Sequence, residues 1–219
     1  MSAQFELIVF DWDGTLMDSA ARIVASLQAA GTAMGLPDRS DAECRNIIGL
    51  GMQEAINTLH PELEPELAPR FVDCYRHHFL VACPMPEVLF DGVHEILQSL
   101  QERRLWLGVA TGKSRKGLDR ALDETDCRRY FHSTRCADET CSKPDPMMLR
   151  EIIAELDITP ERTLMVGDTE YDLEMARRAG TASLAVTYGA HEPQRLASLA
   201  PLACLDSVAA LATWLADNV

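Results

Sequence analysis

The chain has 219 residues, of which 47% are apolar and 25% charged, an ordinary composition for a globular protein. Its net charge of −14 argues against nucleic acid as a partner, because binding a phosphate backbone requires clustered Lys and Arg. The seven cysteines include no Cys-x-x-Cys pair, and we find neither a secretory signal nor a membrane-spanning run. We therefore expect a cytoplasmic protein without a membrane partner.

A short apolar run at residues 5–10 predicts a buried strand close to the amino terminus. Further strands are predicted at 105–110, 163–166, 183–186 and 202–205. Helical patterns lie between them, at 93–103, 115–124, 146–156, 170–179, 193–199 and 208–217. Because strands and helices alternate, we predict an α/β fold, a Rossmann-like doubly wound parallel sheet with helices on both faces.

The segment from about residue 17 to residue 87 interrupts this alternation. It contains no convincing strand, and its helical patterns fall at 20–34, 52–59 and 64–81. We therefore predict two domains, a core of residues 1–16 and 88–219 and an inserted helical cap of residues 17–87. A cap inserted there would lie over the carboxyl ends of the strands, where sheets of this kind bind ligands.

Two carboxylates follow the first strand, in Asp11-Trp12-Asp13-Gly14-Thr15. Like charges this close are costly unless a cation or a shared proton compensates them. An EF-hand calcium loop is excluded because Arg22 stands where that loop needs Glu. The segment is either an acidic site or a polar turn at the end of a strand.

Polar residues follow two later strands as well. Asp168 and Asp172 could converge on one hard cation, or Asp168 could cap the next helix. Thr111-Gly112-Lys113-Ser114 opens a helix and could hold a phosphate group, although its spacing does not match a Walker A loop.

The turn Ser142-Lys143-Pro144-Asp145-Pro146 contains one of only three lysines, in a chain with 17 arginines. Lys143 is either a compact charge held against a phosphate oxygen or an exposed turn residue.

These four segments together resemble the motifs of the haloacid dehalogenase superfamily of phosphohydrolases, in that family's order. The matching residues are Asp11-x-Asp13-Gly14-Thr15, Thr111-Gly112, Lys143-Pro144 and Gly167-Asp168-x-x-x-Asp172. The helical cap and residues 186–189 look most like the phosphoglycolate phosphatase-like branch.

The resemblance implies an Mg²⁺-dependent phosphatase that hydrolyses a small phosphorylated metabolite. Asp11 would be the nucleophile that forms an aspartyl-phosphate, and Asp13 the general acid and base. The remaining roles that it implies are Mg²⁺ binding by Asp11, Asp168 and the backbone carbonyl of Asp13, orientation of metal-bound water by Asp172, and phosphate binding by Thr111, Gly112 and Lys143.

Two other functions remain open, a phosphosugar mutase of the β-phosphoglucomutase type and a non-catalytic phosphate-binding regulatory protein. We hypothesise that Arg45 and the loop Gly49-Leu50-Gly51 contact the leaving group from the cap. The sequence does not distinguish among phosphoglycolate, a sugar phosphate, a nucleoside monophosphate and pyrophosphate as the substrate. It also does not distinguish a monomer from a homodimer.

Overall fold

The computed structural model describes residues 5–219, so residues 1–4 of the predicted core segment lie outside the described residues. The strands are β1 (Leu7–Phe10), β2 (Met17–Asp18), β3 (Val88–Leu89), β4 (Trp106–Thr111), β5 (Ser133–Cys136), β6 (Thr163–Gly167), β7 (Ala182–Val186) and β8 (Cys204–Leu205). The α-helices are α1 (Ala20–Met34), α2 (Asp41–Asn46), α3 (Met52–Leu59), α4 (Ala68–His77), α5 (Val93–Glu102), α6 (Arg115–Glu124), α7 (Met147–Glu155), α8 (Glu170–Ala179), α9 (Pro193–Ala197) and α10 (Val208–Asn218). Across the range that the structure describes, no helix is long and apolar enough to cross a bilayer.

Six strands form one parallel sheet in the order β5-β4-β1-β6-β7-β8. The first strand, β1, lies between β4 and β6, and all four of its residues are buried. Its alternate side chains enter two separate apolar layers, Ile8 and Phe10 on one face and Leu7 and Val9 on the other. The predicted α/β fold with a doubly wound parallel sheet is confirmed.

One strand of this sheet was not predicted. Strand β5 has the sequence Ser-Thr-Arg-Cys and pairs only with β4, at the edge of the sheet. Its central residues, Thr134 and Arg135, are only partly buried. An edge strand with polar central residues lacks the apolar run that predicts the buried strands.

Helices α1 to α4 share an apolar cluster of their own, which includes Ile23, Leu27 and Phe71. The two chain segments that join these helices to the sheet pair with each other as antiparallel strands β2 and β3. The expectation that no strand occurs between residues 17 and 87 is therefore wrong at Met17–Asp18, because a strand of two residues is too short to show alternation.

Two helical details in this region also differ from prediction. Helix α2 was not predicted, although Ser40 and Glu43 form a capping box whose Ser-x-x-Glu signature stands in the sequence. The single helix predicted at 64–81 is divided into a 3₁₀ turn at Pro65–Leu67, helix α4 and a π turn at His78–Ala82. Pro65 and Pro69 lie in the first turns of the first two pieces, where proline is tolerated.

Candidate active site

Three neighbouring strands carry polar side chains to one edge of the sheet. Asp11 directly follows β1, Thr111 ends β4 and Asp168 directly follows β6. Because parallel strands present their carboxyl ends at the same edge, these residues lie close together. Lys143 reaches the same place from the loop between β5 and α7, and none of the four residues is more than 1% exposed. The structure thus brings the four sequence motifs into one site.

Lys143 connects two of the carboxylates. Its ammonium nitrogen lies 2.8 Å from Oδ1 of Asp11 and 2.6 Å from Oδ1 of Asp172. Burial alone would lower the pKa of Lys143, but these two carboxylates raise it above its ordinary value. Lys143 therefore remains a cation.

Asp11, Asp168 and Asp172 form a buried acidic cluster, in which one oxygen of each lies within 4.8 Å of the others. Burial raises the pKa of Asp11 well above its usual range and that of Asp168 to about 7, and the neighbouring carboxylates add to both shifts. Oδ2 of Asp11 is buried and has no hydrogen-bond partner among residues 5–219. Three carboxylates with one ammonium carry excess negative charge, which a hard divalent cation would compensate.

Asp168 is held by two hydrogen bonds. The Thr15 hydroxyl donates to Oδ1 at 2.8 Å, and the backbone N–H of Ala190 donates to Oδ2 at 2.7 Å. Gly14 has a φ of 80°, and a Cβ there would lie 2.2 Å from Oδ2 of Asp168. The acidic motif thus needs its glycine for both its backbone conformation and its closeness to Asp168.

Asp172 is more fully engaged by protein groups. Oδ1 faces Lys143, and Oδ2 accepts hydrogen bonds from the hydroxyl and the backbone N–H of Thr169, at 2.7 and 3.1 Å. These contacts suit a residue that positions its neighbours.

Asp13 has partners that the sequence analysis did not identify. The Ser19 hydroxyl donates to Oδ1 at 2.6 Å, and the Lys113 ammonium lies 3.0 Å from the same oxygen. Lys113 also lies 3.6 Å from Glu87, and these two carboxylates raise the pKa of Lys113 despite its burial. The scarcity of lysine could have singled out Lys113, whereas Glu87 approaches from the second connection to the cap and carries no local signal.

A cavity of about 380 Å³ lies between the sheet edge and helices α1, α3 and α4. Its walls include Asp11, Asp13, Thr111 and Gly112. Apolar cap side chains line much of the rest, namely Ile23, Leu27, Ile47, Ile48, Leu50, Met52, Phe79 and Leu80. A volume of this size suits a small organic ligand.

The four cap residues predicted to contact the leaving group divide into two pairs. Gly49 and Leu50 line the cavity. Arg45 and Gly51 are not among its lining residues within the described chain, and Arg45 instead donates to the carbonyl of Gly189 at 3.4 Å. A role for Arg45 toward substrate stays a prediction without support from its position.

The loop Gly49-Leu50-Gly51, which we call the cap loop, is packed against the sheet edge. A Cβ on Gly112 would lie 2.5 Å from the carbonyl oxygen of Leu50, so this glycine permits the close approach. The Gly51 N–H donates to the Ser142 hydroxyl at 2.7 Å, and the Tyr171 hydroxyl donates to the Asn46 carbonyl at 2.7 Å. Together these contacts hold residues 46–51 against the edge of the sheet that carries the acidic cluster.

Comparisons of the sequence and of the fold with known proteins both find hydrolases. Residues 8–186 match the family model for haloacid dehalogenase-like hydrolases. The chain is 32% identical to the N-acetylmuramic acid 6-phosphate phosphatase of Pseudomonas aeruginosa, over 87% of this chain and 85% of that protein. It is 29% identical to the phosphoglycolate phosphatase of Vibrio cholerae, over 94% of this chain and 95% of that protein. The crystal structure of a hydrolase from Pseudomonas syringae has the same fold, with a TM-score of 0.87 and 21% identity over 97% of this chain and 98% of that one.

Proposed function

Because this chain belongs to the haloacid dehalogenase-like hydrolases, we propose that it is an Mg²⁺-dependent phosphatase that cleaves a small phosphomonoester through an aspartyl-phosphate on Asp11. One observation carries the proposal. Oδ2 of Asp11 is a buried carboxylate oxygen without a hydrogen-bond partner among the described residues, on a side chain that lines the cavity. An oxygen placed in this way is suited to attack an electrophile bound there.

In the first step, Oδ2 of Asp11 forms a bond to phosphorus while the bond from phosphorus to the leaving oxygen breaks. Asp13 donates a proton to that oxygen, so the leaving group departs as an alcohol and not as an alkoxide. The position of Asp13 in the cavity wall supports this role.

In the second step, Asp13 takes a proton from a water molecule, whose oxygen attacks phosphorus. The bond from phosphorus to Asp11 breaks, and inorganic phosphate leaves with the carboxylate of Asp11 restored. The closed cap limits the access of other water to the intermediate.

The transferred phosphoryl group carries charge on its equatorial oxygens, and several groups of this site would stabilise that charge. We assign this work to the Thr111 hydroxyl, the Gly112 N–H and the Lys143 ammonium. We assign Mg²⁺ binding to the carboxylates of Asp11 and Asp168 and the backbone carbonyl of Asp13. The ion would supply the positive charge that the acidic cluster lacks.

We also propose that residues 17–87 form a cap domain on a core formed by the remainder of the chain. Their separate apolar cluster and the strand pair at both connections support this division. Because the cap supplies most of the apolar cavity wall, it would contribute most to substrate selection. The named activities of the relatives suggest phosphoglycolate or a sugar phosphate as the substrate.

The test is phosphate release from a panel of phosphate esters, with Mg²⁺ and with EDTA, for wild type, Asp11→Asn and the control Asp18→Asn. Asp18 is exposed and lies seven residues from the nucleophile, so its substitution tests whether the loss is specific. We expect release that requires Mg²⁺ and is lost only with Asp11→Asn. A mutase would return phosphate to its substrate, so wild-type protein that releases none would contradict the proposal.

The intermediate has a test of its own. With p-nitrophenyl phosphate, whose leaving group departs without a proton from Asp13, Asp13→Asn should slow mainly the second step. A phosphate adduct should then accumulate on the peptide containing Asp11 and be detected by mass spectrometry. The same variant combined with Asp11→Asn should form no adduct. An adduct on another residue would contradict the proposed nucleophile.

A further inference from the structure

The cavity is lined by cations that the proposed mechanism does not use. Lys113, Lys116 and Arg120 line one wall, from α6 and the residues just before it, and Arg76 lines it from cap helix α4. The chain as a whole has 34 acidic residues against 20 basic ones. Basic side chains gathered at one cavity therefore stand out against the general field of the protein.

Two of these cations are already neutralised. Lys113 lies 3.0 Å from Asp13 and 3.6 Å from Glu87. Arg120 lies 2.8 Å from Glu87 and 3.2 Å from Glu124. Because both cations are paired with carboxylates of the protein, neither is expected to attract a bound anion.

Lys116 and Arg76 differ from them. Neither has a carboxylate oxygen within 4.0 Å among the described residues, and both side chains are exposed. Asp11 is 1% exposed and lies deep in the same cavity. Lys116, on the core, and Arg76, on the cap, thus lie toward the open side of the cavity. The apolar cap side chains line the same cavity.

We infer that Lys116 and Arg76 form a second anion subsite, and that the substrate is a phosphate monoester of an alcohol that also carries a carboxylate. This inference rests on the proposed phosphatase function. The phosphate would lie at Asp11, the apolar part of the leaving group against the cap, and the carboxylate between the two free cations. Charge-assisted contacts from both walls would also favour the closed cap when such a substrate is bound.

The experiment compares matched esters with and without the carboxylate. One pair is N-acetylmuramic acid 6-phosphate and the methyl ester of its carboxylate, and the other is 6-phosphogluconate and glucitol 6-phosphate. The readout is the ratio of kcat/KM for the acid to kcat/KM for its neutral partner. It is measured for wild type, Lys116→Gln, Arg76→Gln, the double variant and the control Arg70→Gln. Arg70 lies on the same helix as Arg76, also has no acidic partner among residues 5–219, and is not among the residues lining the cavity.

We expect wild type to prefer the acid in at least one pair, and the ratio to fall about tenfold in the double variant, mainly through KM. Added salt should narrow the wild-type ratio, because exposed charges are screened. Arg70→Gln should leave the ratio as in wild type. Equal rates for both members of each pair, or a ratio that the double variant does not change, would overturn the subsite.

Different outcomes overturn the subsite and the proposed phosphatase function. If wild type releases phosphate in an Asp11-dependent manner without preferring the acids, only the subsite is overturned. If it releases phosphate from none of the four esters and not from p-nitrophenyl phosphate, the phosphatase proposal fails, and the subsite inference fails with it.

Discussion

The ammonium nitrogen of Lys143 lies 2.8 Å from Oδ1 of Asp11, and both side chains are almost fully withdrawn from solvent. Lys143 therefore has two tasks, to compensate the acidic cluster in the resting protein and, in our proposal, to bind the transferred phosphoryl group. Lys143→Met keeps an apolar side chain of similar length but leaves Asp11 and Asp172 without their cation. Removing one partner from a buried ion pair costs about 3–5 kcal/mol, so we expect the free energy of unfolding in EDTA to fall by about that amount in urea titrations.

The two tasks can be separated. Adding Asp172→Asn to Lys143→Met removes one of the uncompensated charges and should recover part of the lost stability. It should not recover phosphate release. If Lys143→Met were as stable as wild type, Lys143 would not be the cation that makes the cluster tolerable.

The acidic cluster also predicts how stability depends on pH in the absence of metal. The pKa of Asp168 rises from 3.8 to about 7 on folding, and that of Asp11 rises as well. Between pH 3.8 and about 7, Asp168 holds a proton in the folded protein that it has lost in the unfolded chain. The free energy of unfolding therefore decreases as the pH rises toward 7. With EDTA, we expect the contribution of this cluster to make the protein less stable at about pH 8 than at about pH 5.5.

Mg²⁺ should reverse that trend, because a cation replaces the protons. We expect the increase in Tm on adding Mg²⁺ to be larger at the higher pH and to be lost in Asp168→Asn, but kept in the exposed control Asp217→Asn. An increase in Tm that is equal at both pH values would show that Mg²⁺ does not compete with protons at this cluster.

Much of the site could be anticipated because a parallel sheet brings distant residues to one edge. Asp11, Thr111 and Asp168 each stand at the end of an apolar run, and the sheet order places those three runs side by side. The position of Asp172 follows from its place in the first turn of α8. Local pattern and one rule of topology are sufficient for these residues.

The remaining features depend on contacts that no local pattern encodes. Lys113 approaches both Asp13 and Glu87, which requires the second connection to the cap to lie beside α6. The position of Arg45, turned toward the Gly189 carbonyl, depends on how the cap packs on the core. Strand β5 and the pair β2 and β3 are too polar or too short for periodicity to indicate them.

Thr15 provides a test of how Asp168 is held. Its hydroxyl is fully buried and donates to Oδ1 of Asp168 at 2.8 Å. Thr15→Val keeps the shape but removes the donor, and loss of such a supporting contact typically lowers metal affinity about 10- to 100-fold. Thr15→Ser keeps a hydroxyl and should retain most of the affinity. Mg²⁺ titrations followed by calorimetry measure both, and equal affinities for Val and Ser would show that this hydrogen bond does not matter.

Tyr171 provides a test of cap closure. Its hydroxyl, on α8, donates at 2.7 Å to the carbonyl of Asn46 at the end of cap helix α2. Tyr171→Phe removes one hydrogen bond between cap and core, which is worth about 1 kcal/mol, so the closed form should become about fivefold less favoured. We expect KM to rise by up to that factor and protease cleavage near residues 83–87 to become faster. The control is Tyr130→Phe, because the Tyr130 hydroxyl accepts from Arg129 within the core. If Tyr171→Phe and Tyr130→Phe had the same KM and the same cleavage rate, the Asn46 contact would contribute nothing to holding the cap closed. The other contacts between cap and core, such as the one between Gly51 and Ser142, would then be sufficient.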